Sequence, residues 1–278
     1  MSVESLPYTL LLLLAQFTAG VSLLVVYTQL RGTYEMAFIR VCSWMTLTGA
    51  IVLALAALAI DSTASAGGFA LDPGVLDPIK AVSVALALFA IVHWYYLRRE
   101  DETFLANATG ATMVGLGAVM LIFLATLVRL PTWSIAGPLL TLFAGSLTIG
   151  AFMVAMIWGH WYLVKPSLDE QPLNELALIA IVAVAAQLAI TAVNAIIPVG
   201  TAIESDAILA VALAENPGFW LRVGVGLLFP IALAYMAYTS SKERSMMSAT
   251  GLLYIAVGAI LAGEALGRGL LFVTGAPV

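Results

Sequence analysis

Eight long runs of mostly apolar residues occupy nearly the whole chain and leave it few ways to fold. About 20 consecutive apolar residues are enough to cross the hydrocarbon core of a bilayer as a helix. Of the 278 residues, 62% are hydrophobic and only 10% are charged. The sequence therefore predicts an all-α integral membrane protein with eight transmembrane helices. We place these helices at residues 7–30, 36–60, 79–98, 110–130, 136–165, 174–200, 217–240 and 245–273.

The connectors between these runs are too short to form a separate soluble domain. The longest of them cover residues 61–78 and 201–216. The whole chain, residues 1–278, is therefore predicted to be a single transmembrane helical domain. The first run is not expected to be a cleaved signal, because Glu4 and no cation precede it and no small-residue cleavage site follows it.

The positions of lysine and arginine indicate an orientation, because cytoplasmic connectors carry an excess of these residues. One set of connectors holds most of them: Arg31, Arg98, Arg99, Lys165, Lys242 and Arg244, with Arg40 close by. The opposite set holds Lys80, with Arg129 and Arg222 at helix ends. We expect the first set to be cytoplasmic. An even number of spans then puts both termini on the outer, periplasmic side of a bacterial or archaeal cytoplasmic membrane.

Acidic residues gather in the connectors predicted to lie outside. They are Asp61, Asp72, Asp77, Glu204, Asp206 and Glu215. This outer face has two interpretations, a docking surface for a soluble partner or simply two solvated loops.

The chain has only two histidines, and both open a His-Trp-Tyr phrase near the cytoplasmic end of a helix. His93 is followed five residues later by Arg98, and His160 by Lys165. At a rise of 1.5 Å per residue, each imidazole lies about 7–8 Å inside its cation. Ionisable groups within a bilayer are costly and tend to mark function. Two imidazoles at matched depth are what the axial ligands of one b-type haem require, so His93 and His160 are candidate haem b ligands and hence metal ligands.

Two other interpretations of the histidines stay open. Tryptophan and tyrosine are enriched at membrane interfaces, so each phrase is also consistent with an aromatic belt. In the second interpretation, a single histidine faces a quinone carbonyl and no haem is bound. Arg40 lies about one helical turn inside the cytoplasmic boundary. It is a candidate partner for a haem propionate or a quinone carbonyl. The default interpretation is that its side chain extends outward to the membrane interface.

The remaining composition excludes several kinds of chemistry. Cys42 is the only cysteine, and iron–sulfur clusters need several thiolates. No glycine-rich phosphate loop, metalloprotease pair or zinc-binding spacing occurs in the sequence. We therefore predict no catalytic residue of a hydrolytic type and no nucleic-acid partner. Haem, quinone or proton chemistry within the membrane, or no chemistry at all, is what remains.

Three short stretches point to a family. These are QFTAG at 16–20, PTWSI at 131–135 and AGEALGRG at 262–269. In these stretches, in its length and in its eight spans, the chain resembles the membrane anchor subunits of dimethyl sulfoxide reductase and related molybdoenzymes. The resemblance implies a subunit that binds quinol in the lipid membrane and exchanges electrons with an iron–sulfur subunit. That partner in turn connects it to a molybdopterin catalytic subunit.

The chain departs from this family in two respects. Family anchors commonly carry a histidine at the outer end of the second helix, where this chain reads AIDS at 59–62. The typical anchor is also haem-free, whereas His93 and His160 suggest a variant that uses haem. A haem-free quinol-binding anchor is therefore an alternative to the haem-bearing one.

A small-solute transporter or channel, and a purely structural anchor, are the competing functions. Transporters place polar groups and broken helices near the midplane of the membrane. The candidate polar groups in this chain are Gln187 and Asn194. Pro230 is the candidate for a kink that breaks a helix. Glu264 and Arg268 lie four residues apart on one helix face and are expected to pair.

Overall fold

The computed structural model describes residues 3–99, 102–199 and 213–278, and it confirms the all-helical class with eight helices long and apolar enough to cross a membrane. The α-helices are α1 (Leu6–Arg31), α2 (Met36–Leu58), α3 (Leu76–Tyr96), α4 (Thr103–Leu127), α5 (Ala136–Val164), α6 (Gln171–Ile196), α7 (Pro217–Val223), α8 (Phe229–Lys242) and α9 (Met246–Thr274). A π-helical turn at Gly224–Leu228 joins α7 and α8 into one span, Pro217–Lys242.

Helix α1 is central, because it packs against α2, α4, α5 and α9. Its closest approach is to α5, where a Cβ atom on Gly20 would overlap the carbonyl oxygen of Ser146 and a Cβ on Gly150 would overlap Gly20. Small residues at such crossings allow transmembrane helices to approach closely. Helix α3, by contrast, packs mainly on α2 and α4, and α5 packs mainly on α1, α6 and α9.

The connectors rich in lysine and arginine meet at one end of the bundle, which we call the basic end. Three ion pairs join them: Arg31–Glu175 at 2.9 Å, Arg244–Glu170 at 2.9 Å, and Lys165 with Glu35. Trp161 also donates to Glu35, at 3.1 Å. The start of α2 is thereby tied to the end of α5.

The Glu35 pair predicts a dependence of stability on pH. The hydrogen bond from Lys165, then that from Trp161, holds the pKa of Glu35 below its ordinary value. A carboxyl with a lowered folded-state pKa stabilises the fold above its unfolded pKa, and that stabilisation is lost as the pH falls through the folded value. We expect the thermal unfolding midpoint of the detergent-solubilised protein to fall as the pH drops below the ordinary glutamate pKa of about 4.3, and Glu35→Gln to weaken this fall.

Glu243→Gln is the matched control, because Glu243 makes no ion pair among the described residues. An equal acid dependence in wild type and Glu35→Gln would contradict the assignment.

The opposite end of the bundle is closed by a short hairpin in the connector between α2 and α3. Strands β1 (Ser65–Ala66) and β2 (Phe69–Ala70) pair antiparallel, and Gly67 and Gly68 take positive φ angles in the turn. Phe69 is buried, with its ring 4.9 Å from that of Phe272 in α9. At the same end Asp72 pairs with Arg129 at 3.0 Å. Glu204 and Asp206 of the predicted acidic face lie outside the described residues.

Pro230 produces a π-turn in place of a simple kink. Proline has no N–H to donate, and its ring clashes with the carbonyl one turn back. The helix therefore widens by one residue per turn just before Pro230. There the N–H of Phe229 donates to the carbonyl of Gly224, five residues earlier. π-turns within α-helices occur frequently at functional sites.

Candidate functional site

A pocket of about 490 Å³ opens at the basic end among the ends of α1, α2, α3 and α4. We call it the Arg40 pocket. Its polar lining comes from Gln29, Arg40, Arg99, Thr103 and Asn107, and its apolar part includes Leu30, Met36, Leu97 and Ala106. Small-molecule sites likewise combine apolar surface with placed polar groups.

Arg40 is held within the pocket wall. Its Nε donates to the carbonyl oxygen of Leu97 at 2.9 Å, and the side chain is only partly exposed. Its two terminal nitrogens have no hydrogen-bond partner among the described residues. Gln29 donates to Asn107 at 2.7 Å, and its own carbonyl oxygen is buried without a partner. The pocket therefore presents the charged donors of Arg40, whereas the unpaired carbonyl oxygen of Gln29 is enclosed behind the pocket surface.

His93 lies behind one wall of the pocket and is 1% exposed. Its Nδ1 is 3.0 Å from the carbonyl oxygen of Ala106, a pocket residue, so Nδ1 carries the proton and donates. Nε2 then has the free lone pair, and it is buried without a partner. Gly110 makes room for the ring, since a Cβ there would lie 2.9 Å from the His93 Cε1 atom.

His160 has different surroundings. It is exposed on the side of the bundle, with its Nδ1 3.0 Å from the hydroxyl of Tyr254 in α9. The neighbouring Gly159 faces Thr250, also in α9. His93 instead faces α4, and no contact joins the two rings among the described residues. The different directions in which His93 and His160 face do not favour one haem held by both, and haem ligation stays a prediction.

The rest of the first His-Trp-Tyr phrase has the features of an aromatic belt. The guanidinium carbon of Arg98 lies 3.9 Å from the ring centre of Trp94, and Trp44 packs edge-on to Trp94. Arg99 similarly lies 4.6 Å over Tyr95. Cation–π contacts of this kind favour a cation beside an aromatic ring at a polar boundary.

A second polar feature lies inside the bundle, and we call it the Glu264 cluster. Its members come from four helices and are all fully buried: Gln16, Gln187, Arg222, Glu264 and Arg268. Glu264 accepts a hydrogen bond from each of the other four. The distances are 2.6 Å from Arg222, 2.9 Å from Gln16 and 3.3 Å from Arg268. The predicted pairing of Glu264 with Arg268 is thereby confirmed.

Glycines allow the helices to close around this cluster. A Cβ on Gly145 of α5 would lie 2.5 Å from a carboxylate oxygen of Glu264. A Cβ on Gly226, in the π-turn, would lie 2.7 Å from the Cα of Gly263 in α9. The π-turn therefore sits at the crossing that holds Arg222 against Glu264.

Arg222 is the residue whose role the sequence analysis missed. It was predicted at a helix end, yet its side chain is fully buried and paired with Glu264. The signal available in the sequence was its position, the sixth residue of an apolar span that begins at Pro217. A buried arginine at that depth needs an acidic partner.

The two candidate midplane residues of a transporter belong to separate bonded networks. The side-chain amide of Gln187 donates a hydrogen bond to Glu264. Asn194 donates to the carbonyl oxygen of Pro277 at 2.7 Å and to Thr141 at 2.8 Å, and accepts from Trp133 at 3.0 Å. Asn194 thus fastens α5, α6 and the segment after α9 together, which is a structural role.

An acidic pocket of about 560 Å³ opens at the opposite end, beside the end of α2. Glu4, Tyr8, Asp61 and Thr63 line it, and the Tyr8 hydroxyl is 2.8 Å from that of Thr63. It lies where the family resemblance places a histidine, but none of its described lining residues is a cation. The hydroxyl groups of Tyr8 and Thr63 already bond to each other.

Comparison with known proteins identifies no relative. No protein-family model, no curated protein and no solved structure matches this chain.

Proposed function

We propose that this chain is the membrane-embedded, quinone-reactive subunit of a respiratory oxidoreductase complex, and that the Arg40 pocket binds the quinone headgroup. The single observation that carries the proposal is the half-buried guanidinium of Arg40. Leu97 fixes it through Nε and leaves its terminal nitrogens without a protein partner beside a pocket of suitable size. A quinone carbonyl is a neutral acceptor that such donors recognise.

The pocket also supplies the other requirements of a quinone. Leu30 and Met36 provide apolar surface for the ring, and Thr103 and Asn107 add neutral polar groups to the lining. Oxidation of a quinol to a quinone releases two electrons and two protons. The opening of the pocket at the basic end, among charged connectors, gives those protons a route to water.

The electron acceptor must come from a partner, since the single cysteine cannot hold an iron–sulfur cluster. The family resemblance supports an iron–sulfur subunit joined to a molybdopterin catalytic subunit. In the proposed orientation the basic end is cytoplasmic, both termini are periplasmic, and the membrane is the cytoplasmic membrane of a prokaryote. The different surroundings of His93 and His160 favour the haem-free form of this subunit over the haem-bearing one.

Replacing Arg40 by Gln tests the quinone site. Hydrogen bonds from a charged donor contribute about 1.5–3 kcal/mol, so we expect Arg40→Gln to weaken quinone binding by roughly tenfold or more. The measurement is the dissociation constant of a short-chain ubiquinone or menaquinone analogue for the purified protein, taken from quenching of tryptophan fluorescence. The thermal unfolding midpoint, measured alongside, reports whether the fold is retained.

Arg129→Gln is the matched control, because Arg129 is also a partly exposed arginine near a helix end but lies at the opposite end of the bundle. Its quinone affinity should equal that of the wild type. If Arg40→Gln and Arg129→Gln both bind quinone as the folded wild type does, the Arg40 pocket is not the quinone site.

A further inference from the structure

The side chain of His93 joins two walls of the Arg40 pocket. One wall is the end of α3, where the carbonyl oxygen of Leu97 holds Arg40. The other is the start of α4, which contributes Ala106 and Asn107. His93 lies in the last turn of α3, and its Nδ1 atom reaches across to the carbonyl oxygen of Ala106 at 3.0 Å. This hydrogen bond therefore ties the two walls to each other.

The bond depends on one nitrogen of the imidazole ring. The carbonyl oxygen of Ala106 can only accept a hydrogen bond. The hydroxyl of Thr109, 3.4 Å from Nδ1, donates its own proton to the carbonyl of Leu105 at 2.7 Å. Both neighbours of Nδ1 are therefore acceptors toward it, and Nδ1 must carry a proton. Nε2 is buried without a partner among the described residues and takes no part in the contact.

The imidazole ring is also enclosed by two other helices. A Cβ atom on Gly110 of α4 would lie 2.9 Å from the Cε1 atom of His93 and 2.9 Å from a methyl carbon of Val26 in α1. The ring thus occupies the gap that Gly110 leaves between α4 and α1, and it is only 1% exposed. A ring packed this closely has little freedom to leave its rotamer.

The residue that His93 holds is directly beside a polar group of the pocket. Asn107 follows Ala106 in the chain, and its side chain accepts a hydrogen bond from Gln29 of α1 at 2.7 Å. A movement of α4 away from α3 would therefore carry Asn107 away from the guanidinium of Arg40. Binding sites need their groups to be held within about 0.5 Å by surrounding residues, so the bond of His93 bears directly on affinity.

We propose that His93 is a positioning residue of the quinone site, whose Nδ1–H group holds the start of α4 against the end of α3 and so sets the width of the Arg40 pocket. His93 is not among the residues that line the pocket, and it acts through Ala106. The inference rests on the proposed function, because it requires the quinone to occupy the Arg40 pocket.

Two substitutions at His93 separate the N–H group from the bulk of the ring. Asparagine can replace Nδ1, because its amide nitrogen is also bonded to Cγ, whereas leucine has no donor. A neutral hydrogen bond contributes about 0.5–1.5 kcal/mol, so folded His93→Leu should bind the short-chain quinone analogue roughly two- to tenfold more weakly than the wild type. His93→Asn should recover most of the affinity. The thermal unfolding midpoint of each variant reports whether the fold is retained.

His160→Leu is the matched control, since His160 is the only other histidine of the chain and faces Tyr254 of α9 instead of α4. Its quinone affinity should equal that of the wild type.

Nuclear magnetic resonance of the wild type provides a readout that needs no folded variant of His93. Isotopic labelling of the histidine nitrogens gives signals from only two imidazole rings, and His160→Leu assigns them. We expect His93 to be protonated on Nδ1. We also expect its Nδ1 signal to shift when the quinone analogue binds, because Ala106 borders the pocket, while the signals of His160 stay unchanged.

The two proposals fail in different ways. Unchanged quinone binding in Arg40→Gln would remove the quinone site and this inference together. Weakened binding in Arg40→Gln with wild-type binding in folded His93→Leu would overturn the role of His93 alone. A His93 ring that is protonated on Nε2 and not on Nδ1 would do the same.

Discussion

Replacing Glu264 by Gln is expected to prevent the chain from accumulating as a stable folded protein. The carboxylate is the only described acidic group that contacts Arg222 and Arg268, and all three side chains are fully buried. Removing one partner of a buried ion pair costs about 3–5 kcal/mol, because the other charge is left uncompensated. That is a large part of the total stability of most proteins, about 5–15 kcal/mol. The measurement is the monodisperse yield after detergent extraction, with the thermal unfolding midpoint of whatever remains.

Two further variants make this result specific. Glu175→Gln removes a carboxylate of the basic end whose partner Arg31 is half exposed, and such a pair contributes about 1 kcal/mol or less. Its yield should stay close to that of the wild type. The double variant Arg222→Gln/Glu264→Gln removes one unpaired charge and should recover part of the lost yield. Similar midpoints for Glu264→Gln and Glu175→Gln would show that the cluster is not a major source of stability.

Replacing Gly20 by Ala is expected to destabilise the bundle severely, although the change adds one methyl group. The new Cβ would overlap the carbonyl oxygen of Ser146 in α5, which is backbone and has no other rotamer to adopt. The two helices would have to separate along the interface between α1 and α5. Overpacking of a tight core typically costs about 1–3 kcal/mol and occasionally more. We expect the cost of Gly20→Ala to lie at or above the upper end of this range. The measurement is the decrease in the thermal unfolding midpoint.

Gly115→Ala is the matched control for Gly20→Ala, since it adds the same methyl group in the middle of a helix. Gly115 is exposed, and its Cβ position has no neighbouring atom within 4 Å. Alanine has the higher helix propensity by about 1 kcal/mol, so this variant should be as stable as the wild type or slightly more so. If Gly20→Ala behaves like Gly115→Ala, the contact between α1 and α5 is looser than described.

The eight spans could be predicted from the sequence because apolarity over about 20 residues is a local property. The beginning of α4 was placed too late, at 110, whereas the helix begins at Thr103. The part of the helix that the prediction left out contains the polar residues Asn107 and Thr109. The structure shows why it is helical: Asn107 accepts from Gln29 of α1, and Thr109 donates to the carbonyl of Leu105 in its own helix.

The candidate sites could be predicted only in part, because the pattern along one helix gives depth but not which neighbour a residue faces. His93 and His160 illustrate this, since similar phrases at similar depth face α4 and α9 respectively. Arg40 was identified because a cation inside an apolar run is conspicuous. The Glu264 cluster was recognised only as the pair within α9. The positions of Gln16, Gln187 and Arg222 around Glu264 depend on how distant helices cross.

The distribution of the Glu264 cluster along the chain has a consequence for biogenesis. Gln16 belongs to α1, which is synthesised well before α9, the last described helix and the one that holds Glu264. Each earlier member must therefore enter the bilayer, or wait beside the translocation machinery, before its acceptor has been synthesised. Of the earlier members, Arg222 is the most costly to place in the bilayer without its partner, because its side chain is charged before Glu264 has been synthesised. Completion of the bundle is thus deferred until α9 arrives, and insertion of α9 becomes the step that commits the nascent chain to its final packing.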